Sequence, residues 1–128
     1  MMQTGLKGTA ELYVTAQLTA ESVGSGSVPV LATPMMIALM EAASLKAIDG
    51  KLTEDRTTVG TDINIQHTAA TPIGSKVKAH AVLTNIEGRR LFFKVEAFDE
   101  VELIGRGTHV RFIIDKTKFL NNISKKIK

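Results

Sequence analysis

The chain has 128 residues, of which 44% are hydrophobic and 23% charged, as is typical of a single globular domain. It contains no cysteine, which excludes disulfides, thiolate nucleophiles and cysteine-based metal sites. The net charge of +3 arises from five lysines that follow Asp115, so it gives little support to nucleic-acid binding.

We expect neither a secretory signal nor a membrane-spanning segment in this sequence. Residues 1–8 lack the apolar core of a secretory signal. The apolar stretch 28–40 is shorter than the ~20 residues of a membrane-spanning helix. We therefore expect a cytoplasmic protein in which residues 1–128 form one domain and residues 117–128 its basic C-terminal tail.

The predicted elements begin with a strand over Leu6–Gln17, in which apolar and polar residues alternate. A short helical turn is expected over Thr19–Val23. The glycine- and serine-rich residues 24–27 then predict a flexible loop.

One long helix follows this loop. Thr33 is suited to the N-cap, Pro34 to the first helical position and Gly50 to the C-terminal stop. Apolar residues cover almost the whole circumference between these ends, which predicts a buried helix rather than a surface one.

Alternating patterns dominate the rest of the chain. They predict strands over residues 57–67, 76–86, 89–98 and 102–114, followed by a short terminal helix from Lys116. The first of these strands is predicted to have Val59, Thr61, Ile63, Ile65 and His67 on its apolar face. A curved antiparallel sheet of five or six strands around one long buried helix satisfies both patterns. We therefore predict an α+β protein with the hotdog fold.

Glu41 and His67 are the polar residues placed most unusually. Glu41 lies in the middle of the apolar helix, so it is either partnered, protonated or facing a cavity, or else it points to solvent through a gap. His67 lies at the end of the apolar face of its strand, where it serves either a pocket or the core. His80 and His109 share faces with Lys78 and Arg111, which predicts that both histidines are solvated.

Two further residues have a structural and a functional interpretation. Thr33 before Pro34 is a common N-cap, and taken alone it is structural. Gly60 interrupts a strand, which indicates either a β-bulge or a close approach to a ligand, where its N–H would contact an oxyanion.

Several segments in a fixed order resemble one known family. They are Gly24-Ser25-Gly26, Val30-Leu31-Ala32-Thr33-Pro34, Met40-Glu41-Ala42-Ala43, Val59-Gly60-Thr61, His67 with Thr71-Pro72-Ile73-Gly74, Gly88-Arg89-Arg90-Leu91 and Val95-Glu96-Ala97. The chain in this respect resembles the fluoroacetyl-CoA-thioesterase-like branch of the hotdog thioesterases. The resemblance covers roughly residues 20–114.

The resemblance implies a homodimeric acyl-CoA thioesterase that uses no metal or other cofactor. By that analogy Glu41 activates water or attacks the thioester carbon, and His67 orients the nucleophile and shuttles protons. Thr33 forms a hydrogen bond within the site, and the Gly60 N–H holds the thioester oxygen. Because Thr33 and Glu41 are eight residues apart, a continuous helix separates them by about 12 Å, so we expect the site to lie at a dimer interface.

The sequence leaves more than one substrate and more than one reaction type open. No aromatic residue lies between Tyr13 and Phe92, so an aromatic lid is not expected and short acyl-CoAs in general are the expected substrates. The alternatives are a hydratase or dehydratase of the same fold, an acyl-CoA binding protein without turnover, and an interaction module that uses the basic tail.

Overall fold

The computed structural model describes residues 2–127, so Met1 and Lys128 of the predicted domain and tail lie outside it. Its elements are, in chain order, β1 (Lys7–Tyr13), a 3₁₀ turn (Ala16–Leu18), α1 (Ala20–Val23), α2 (Thr33–Ala47), β2 (Arg56–His67), β3 (Lys76–Glu87), β4 (Arg90–Phe98), β5 (Leu103–Asp115) and α3 (Lys116–Ser124). The five strands form one antiparallel sheet in the order β1-β3-β4-β5-β2. The sheet curls around α2, which confirms the predicted hotdog fold.

The core lies between α2 and the inner face of the sheet. Val77, Ala79, Ala81 and Leu83 of β3 are buried, as the alternation in this strand predicts. Helix α2 approaches β1 so closely that a Cβ at Gly8 would overlap the carbonyl oxygen of Ala43. Small residues on both elements therefore set the distance between the helix and the sheet, and with it the depth at which polar helix residues lie.

Strand β5 faces the helix with the side opposite to the predicted one. His109 and Arg111 are buried, whereas Thr108 and Phe112 are exposed. The prediction that His109 is solvated is therefore wrong. The physical reason is that these two polar side chains satisfy each other and Glu41 inside the protein, so their burial leaves no uncompensated charge.

A β-bulge divides β2 into two halves. Gly60 pairs with Arg111 and Asp62 pairs with Val110, so Thr61 is one residue more than β5 provides. Thr58 and Gly60 before the bulge therefore face α2, as do Ile63, Ile65 and His67 after it. The strict alternation predicted for this strand, with Val59 and Thr61 on the inner face, is wrong on the N-terminal side of the bulge.

The basic tail begins as the predicted terminal helix. The Asp115 side chain caps α3 by accepting a hydrogen bond from the Lys118 N–H at 3.0 Å. No residue of α3 is buried. Among residues 2–127, no helix is both long and apolar enough to cross a membrane.

Candidate active site

Thr33 and His67 meet where α2 begins and β2 ends. Thr33 is the first residue of α2, and Ala32, not Thr33, is the N-cap. The Thr33 hydroxyl is therefore not used in capping, and its Oγ1 lies 2.7 Å from His67 Nδ1. The predicted N-cap role of Thr33 is wrong, and the hydroxyl connects the helix to a histidine instead.

The second nitrogen of His67 has no partner within the chain. His67 Nε2 is buried and forms no hydrogen bond to any of the described residues. Burial lowers the pKa of His67 below its ordinary value of 6.5, because the charged imidazolium loses hydration. A neutral imidazole with one nitrogen held by Thr33 and the other unoccupied is suited to accept or donate a proton.

A cleft of about 430 Å³ opens beside this pair. Thr33 and His67 line it together with small apolar residues and the glycine-rich loop. The other lining residues are Ala20, Ser25, Gly26, Val28, Val30, Leu31, Thr68, Ala69 and Ala70. The cleft therefore combines an apolar wall with two polar groups that converge on one point, as ligand sites commonly do.

Glu41 lies farther along α2, against β2 and β5. Its Oε2 is 3.3 Å from Arg111 Nη1, and its side chain is 37% exposed. A Cβ at Gly60 would lie only 2.8 Å from the same oxygen, so the missing side chain of Gly60 makes room for the carboxylate. Of the two interpretations of Gly60, the β-bulge is confirmed, since Gly60 directly precedes the extra residue Thr61. The approach of a ligand to its N–H stays a prediction.

Arg111 is a site residue that the sequence did not indicate. Its Nε donates to Thr58 Oγ1 at 2.8 Å and its Nη2 to the Thr58 carbonyl oxygen at 3.1 Å. Its Nη1 also lies 3.1 Å from Nε2 of the fully buried His109. Burial lowers the pKa of Arg111, against the opposing influence of the Glu41 carboxylate. The only signal in the sequence was the pairing of a basic residue and a histidine two apart in one strand.

The four predicted site residues thus form two pairs within one protomer. Thr33 contacts His67, and Glu41 contacts Gly60, but no hydrogen bond or ion pair joins the two pairs among residues 2–127. Thr33 and Glu41 are eight positions apart in the continuous helix α2, and the helical rise separates them by about 12 Å along its axis.

Potential metal ligands are not clustered in this site. Among residues 2–127, no three His, Asp or Glu side chains are grouped so that they could hold a metal ion. The cleft itself is lined by one hydroxyl and one imidazole, and the carboxylate, the second imidazole and the guanidinium belong to the group around Glu41.

Comparison with known proteins assigns the chain to a family. The model of the family described as fluoroacetyl-CoA-specific thioesterase matches residues 14–117. The fluoroacetyl-CoA thioesterase of Streptantibioticus cattleyicolor is 43% identical over 97 residues, which are 76% of this chain and 70% of that protein.

Solved structures agree with this assignment over the whole chain. A structure of the fluoroacetyl-CoA thioesterase FlK has a TM-score of 0.94 at 35% identity and covers 100% of this chain and 99% of its own. A thioesterase superfamily member from Thermus thermophilus has a TM-score of 0.89 at 30% identity, with 98% and 93% of the two chains covered. The resemblance inferred from the motifs is confirmed: the chain belongs to the fluoroacetyl-CoA-specific thioesterase family and is a thioester hydrolase of the hotdog fold.

Proposed function

We propose that this protein is a homodimer that hydrolyses short acyl-CoA thioesters to the free acid and CoA, with Thr33, Glu41 and His67 as the reacting groups. The observation that carries this proposal is the 2.7 Å contact between Thr33 Oγ1 and His67 Nδ1 at the wall of the cleft, with His67 Nε2 left without a partner. A histidine that is oriented through one nitrogen and has no partner at the other is suited to proton transfer in acyl transfer.

The proposed roles follow from the chemistry of each group. Glu41 supplies the carboxylate that either activates water or attacks the thioester carbon, and His67 moves the proton to the departing thiolate. Thr33 fixes the ring of His67. The Gly60 N–H is proposed to hold the thioester oxygen, as the family resemblance implies, because Gly60 lies next to the Glu41 carboxylate, which occupies the space that a side chain at Gly60 would fill.

The acyl group is proposed to occupy the cleft beside Thr33. Its apolar wall consists of alanine, valine and leucine side chains, and no aromatic residue lines it. A structure of a threonine-to-serine variant of the related FlK contains acetyl-CoA. These observations support acetyl and other short acyl groups as the proposed substrate class.

The proposed dimer would bring the two pairs of residues together. Strand β2 is an edge of the sheet, and its Ile63 is 38% exposed. Leu45 on the outer side of α2 is 43% exposed. An unpaired strand edge beside exposed apolar helix residues is suited to a second copy of the chain, and Glu41 of one protomer would then lie near Thr33 and His67 of its partner.

The first experiment measures thiol release from acetyl-, butyryl- and hexanoyl-CoA by the wild type and by Glu41→Ala. We expect turnover by the wild type and a loss of roughly 10³-fold or more in kcat in the variant, the scale of removing a principal reacting group. Absence of turnover by the folded wild type, together with tight acyl-CoA binding, would favour a binding protein. Hydration of an unsaturated acyl-CoA without thiol release would favour a hydratase.

Mixed dimers test whether the site is shared between protomers. Thr33→Ala and Glu41→Ala subunits are purified separately, unfolded together and refolded. If each site takes its threonine and its glutamate from different protomers, about a quarter of wild-type activity returns, because half of the dimers are mixed and each has one intact site. If both groups come from the same protomer, every site keeps one defect and activity does not return.

A further inference from the structure

A connected polar network lies beneath Gly60, and none of the proposed reaction steps uses it. It consists of Thr58 in β2 and of His109 and Arg111 in β5, and it ends at the carboxylate of Glu41. All three strand residues are buried, whereas the Glu41 side chain is 37% exposed. The network therefore connects the interior of the sheet to the one carboxylate of the proposed site.

The donors and acceptors in this network fix the state of His109. Its Nδ1 lies 2.8 Å from the carbonyl oxygen of Asp62, which only accepts, so Nδ1 carries a proton. Its Nε2 lies 3.1 Å from Arg111 Nη1, which only donates, so Nε2 has no proton. His109 is therefore neutral, and its 3.7 Å approach to Glu41 Oε2 is not an ion pair.

Arg111 is consequently the cation that contacts Glu41, and its orientation does not depend on Glu41. Two bonds to Thr58 and one to His109 hold the guanidinium from three of its nitrogens. The ring of Phe93 stacks on that of His109, with centroids 6.2 Å apart. The remaining contact, from Nη1 to Glu41 Oε2, leaves the other carboxylate oxygen outside the network.

We propose that Arg111, held by Thr58 and neutral His109, is a positioning residue that fixes the Glu41 carboxylate beneath Gly60 for attack on the thioester or on water. This inference rests on the proposed function of Glu41. A rigid guanidinium holds one oxygen of the carboxylate and so presents the other to the substrate. A planar guanidinium with several fixed donors gives this orientation, which the single ammonium group of a lysine does not reproduce.

The test compares three substitutions in the full-length protein. Arg111→Gln removes the charge, and Arg111→Lys keeps the charge but lacks the planar set of donors. Thr58→Val removes the hydroxyl that accepts the hydrogen bond from Arg111 Nε. We expect kcat to fall roughly 10²-fold in Arg111→Gln, the scale of misplacing a reacting group by about an ångström. Arg111→Lys should recover part of this loss, and Thr58→Val should lower kcat about 10-fold. KM should change less than about threefold, since none of these residues lines the acyl cleft.

A matched control separates positioning from folding. Thr84→Val removes a hydroxyl that bonds a backbone carbonyl of β4 at 3.1 Å, away from Glu41, so it should leave kcat unchanged. Nitrogen NMR of His109 supplies a second readout, in which the wild type shows a protonated Nδ1 and an unprotonated Nε2. Arg111→Gln should alter the Nε2 resonance, because that nitrogen loses its donor.

Three results would overturn the proposal. One is that Thr58→Val and Arg111→Gln both keep a kcat within about twofold of the wild type while Glu41→Ala is inactive, since Glu41 would then act without being positioned by Arg111. Another is a protonated Nε2 in wild-type His109. Absence of turnover by folded wild type would instead remove the proposed function, and the positioning role with it, while the His109 tautomer still reports whether the network itself is correct.

Discussion

Thr33 Oγ1 lies 2.7 Å from His67 Nδ1 and so joins the first residue of α2 to the last residue of β2. The two residues are 34 apart in the sequence, and the contact forms only when the helix and the sheet have packed together. The orientation of His67 is therefore determined by the tertiary fold and not by local structure around either residue.

Two replacements of Thr33 should distinguish the role of its hydroxyl group from the role of the residue in the helix. Thr33→Val keeps the branched shape but leaves His67 Nδ1 without a partner, and we expect kcat to fall at least about 10-fold. Thr33→Ser keeps the hydroxyl and should remain within about threefold of the wild type. Steady-state thiol release measures both.

The stability of these variants provides the control. Because Ala32 is the N-cap, Thr33→Val removes no capping side chain, and we expect a loss of about 1 kcal/mol in the free energy of unfolding that comes instead from the missing hydrogen bond to His67. A large drop in the free energy of unfolding with unchanged kcat would show that the hydroxyl is structural.

Replacement of Gly60 should affect Glu41 directly. In Gly60→Ala the new Cβ would lie 2.8 Å from Glu41 Oε2 and 3.1 Å from His109 Cε1, so the carboxylate has to move. We expect kcat to fall roughly 10²-fold, as for a reacting group misplaced by about an ångström. Activity and thermal unfolding are measured on the same sample.

Gly5→Ala is the matched glycine substitution. Gly5 has φ of 93°, so alanine there strains the backbone, but no atom lies within 4 Å of the added Cβ. It should lower the unfolding temperature and leave kcat unchanged. The same loss of activity in both variants would mean that Gly60→Ala acts through general destabilisation.

The sequence predicts well the residues that pack among apolar side chains only and the elements that are determined by neighbouring residues in the chain. Val77, Ala79, Ala81 and Leu83 alternate with polar residues and are buried as predicted. The helical turn at Thr19, the loop after it and the terminal helix follow from caps and glycines. For these elements the local pattern and the tertiary environment favour the same structure.

The residues that sequence predicts poorly owe their position to each other. Arg111 occupies the inner face of β5 because Thr58 and Glu41 accept its hydrogen bonds there. His109 lies beside it because its ring bonds to the carbonyl oxygen of Asp62 and to Arg111. No pattern within β5 contains the partners that lie on the other elements. The β-bulge at Thr61 is likewise not indicated by the sequence, apart from the adjacent Gly60. Pairing across the sheet thus outweighs the alternation that predicted the opposite face.

Acidification should inactivate the enzyme through His67. Burial lowers the pKa of His67 below 6.5, so the neutral form persists through neutral pH and proton uptake occurs only in more acidic solution. We expect kcat/KM to be constant near neutrality and to fall with a midpoint below 6.5. A midpoint above that value would show that a different group controls the acid limb, and His67→Gln should remove the limb altogether.

The stability of the fold should also decline in acid, through His109. Burial lowers the pKa of His109, with Arg111 acting in the same direction, so the unfolded chain binds a proton below 6.5 that the folded chain does not. Linkage then requires the free energy of unfolding to fall as the pH decreases below 6.5. Urea unfolding at several pH values measures the slope. His109→Gln should make it shallower, and an unchanged slope would assign the effect to other groups.

The single extra residue at Thr61 makes the length of β2 part of the active site. Before the bulge the strand presents Thr58 to Arg111, and after it the strand presents His67 to Thr33. Thr58 and His67 are an odd number of positions apart, so a strict alternation through the whole of β2 would turn one of them outward, and the bulge is what brings both to the inner face. One edge strand thereby serves both halves of the site because the bulge takes up the odd residue between them, and loss of Thr61 would leave a regular strand that still presents Thr58 and His67 inward but lacks the local bend of the bulge.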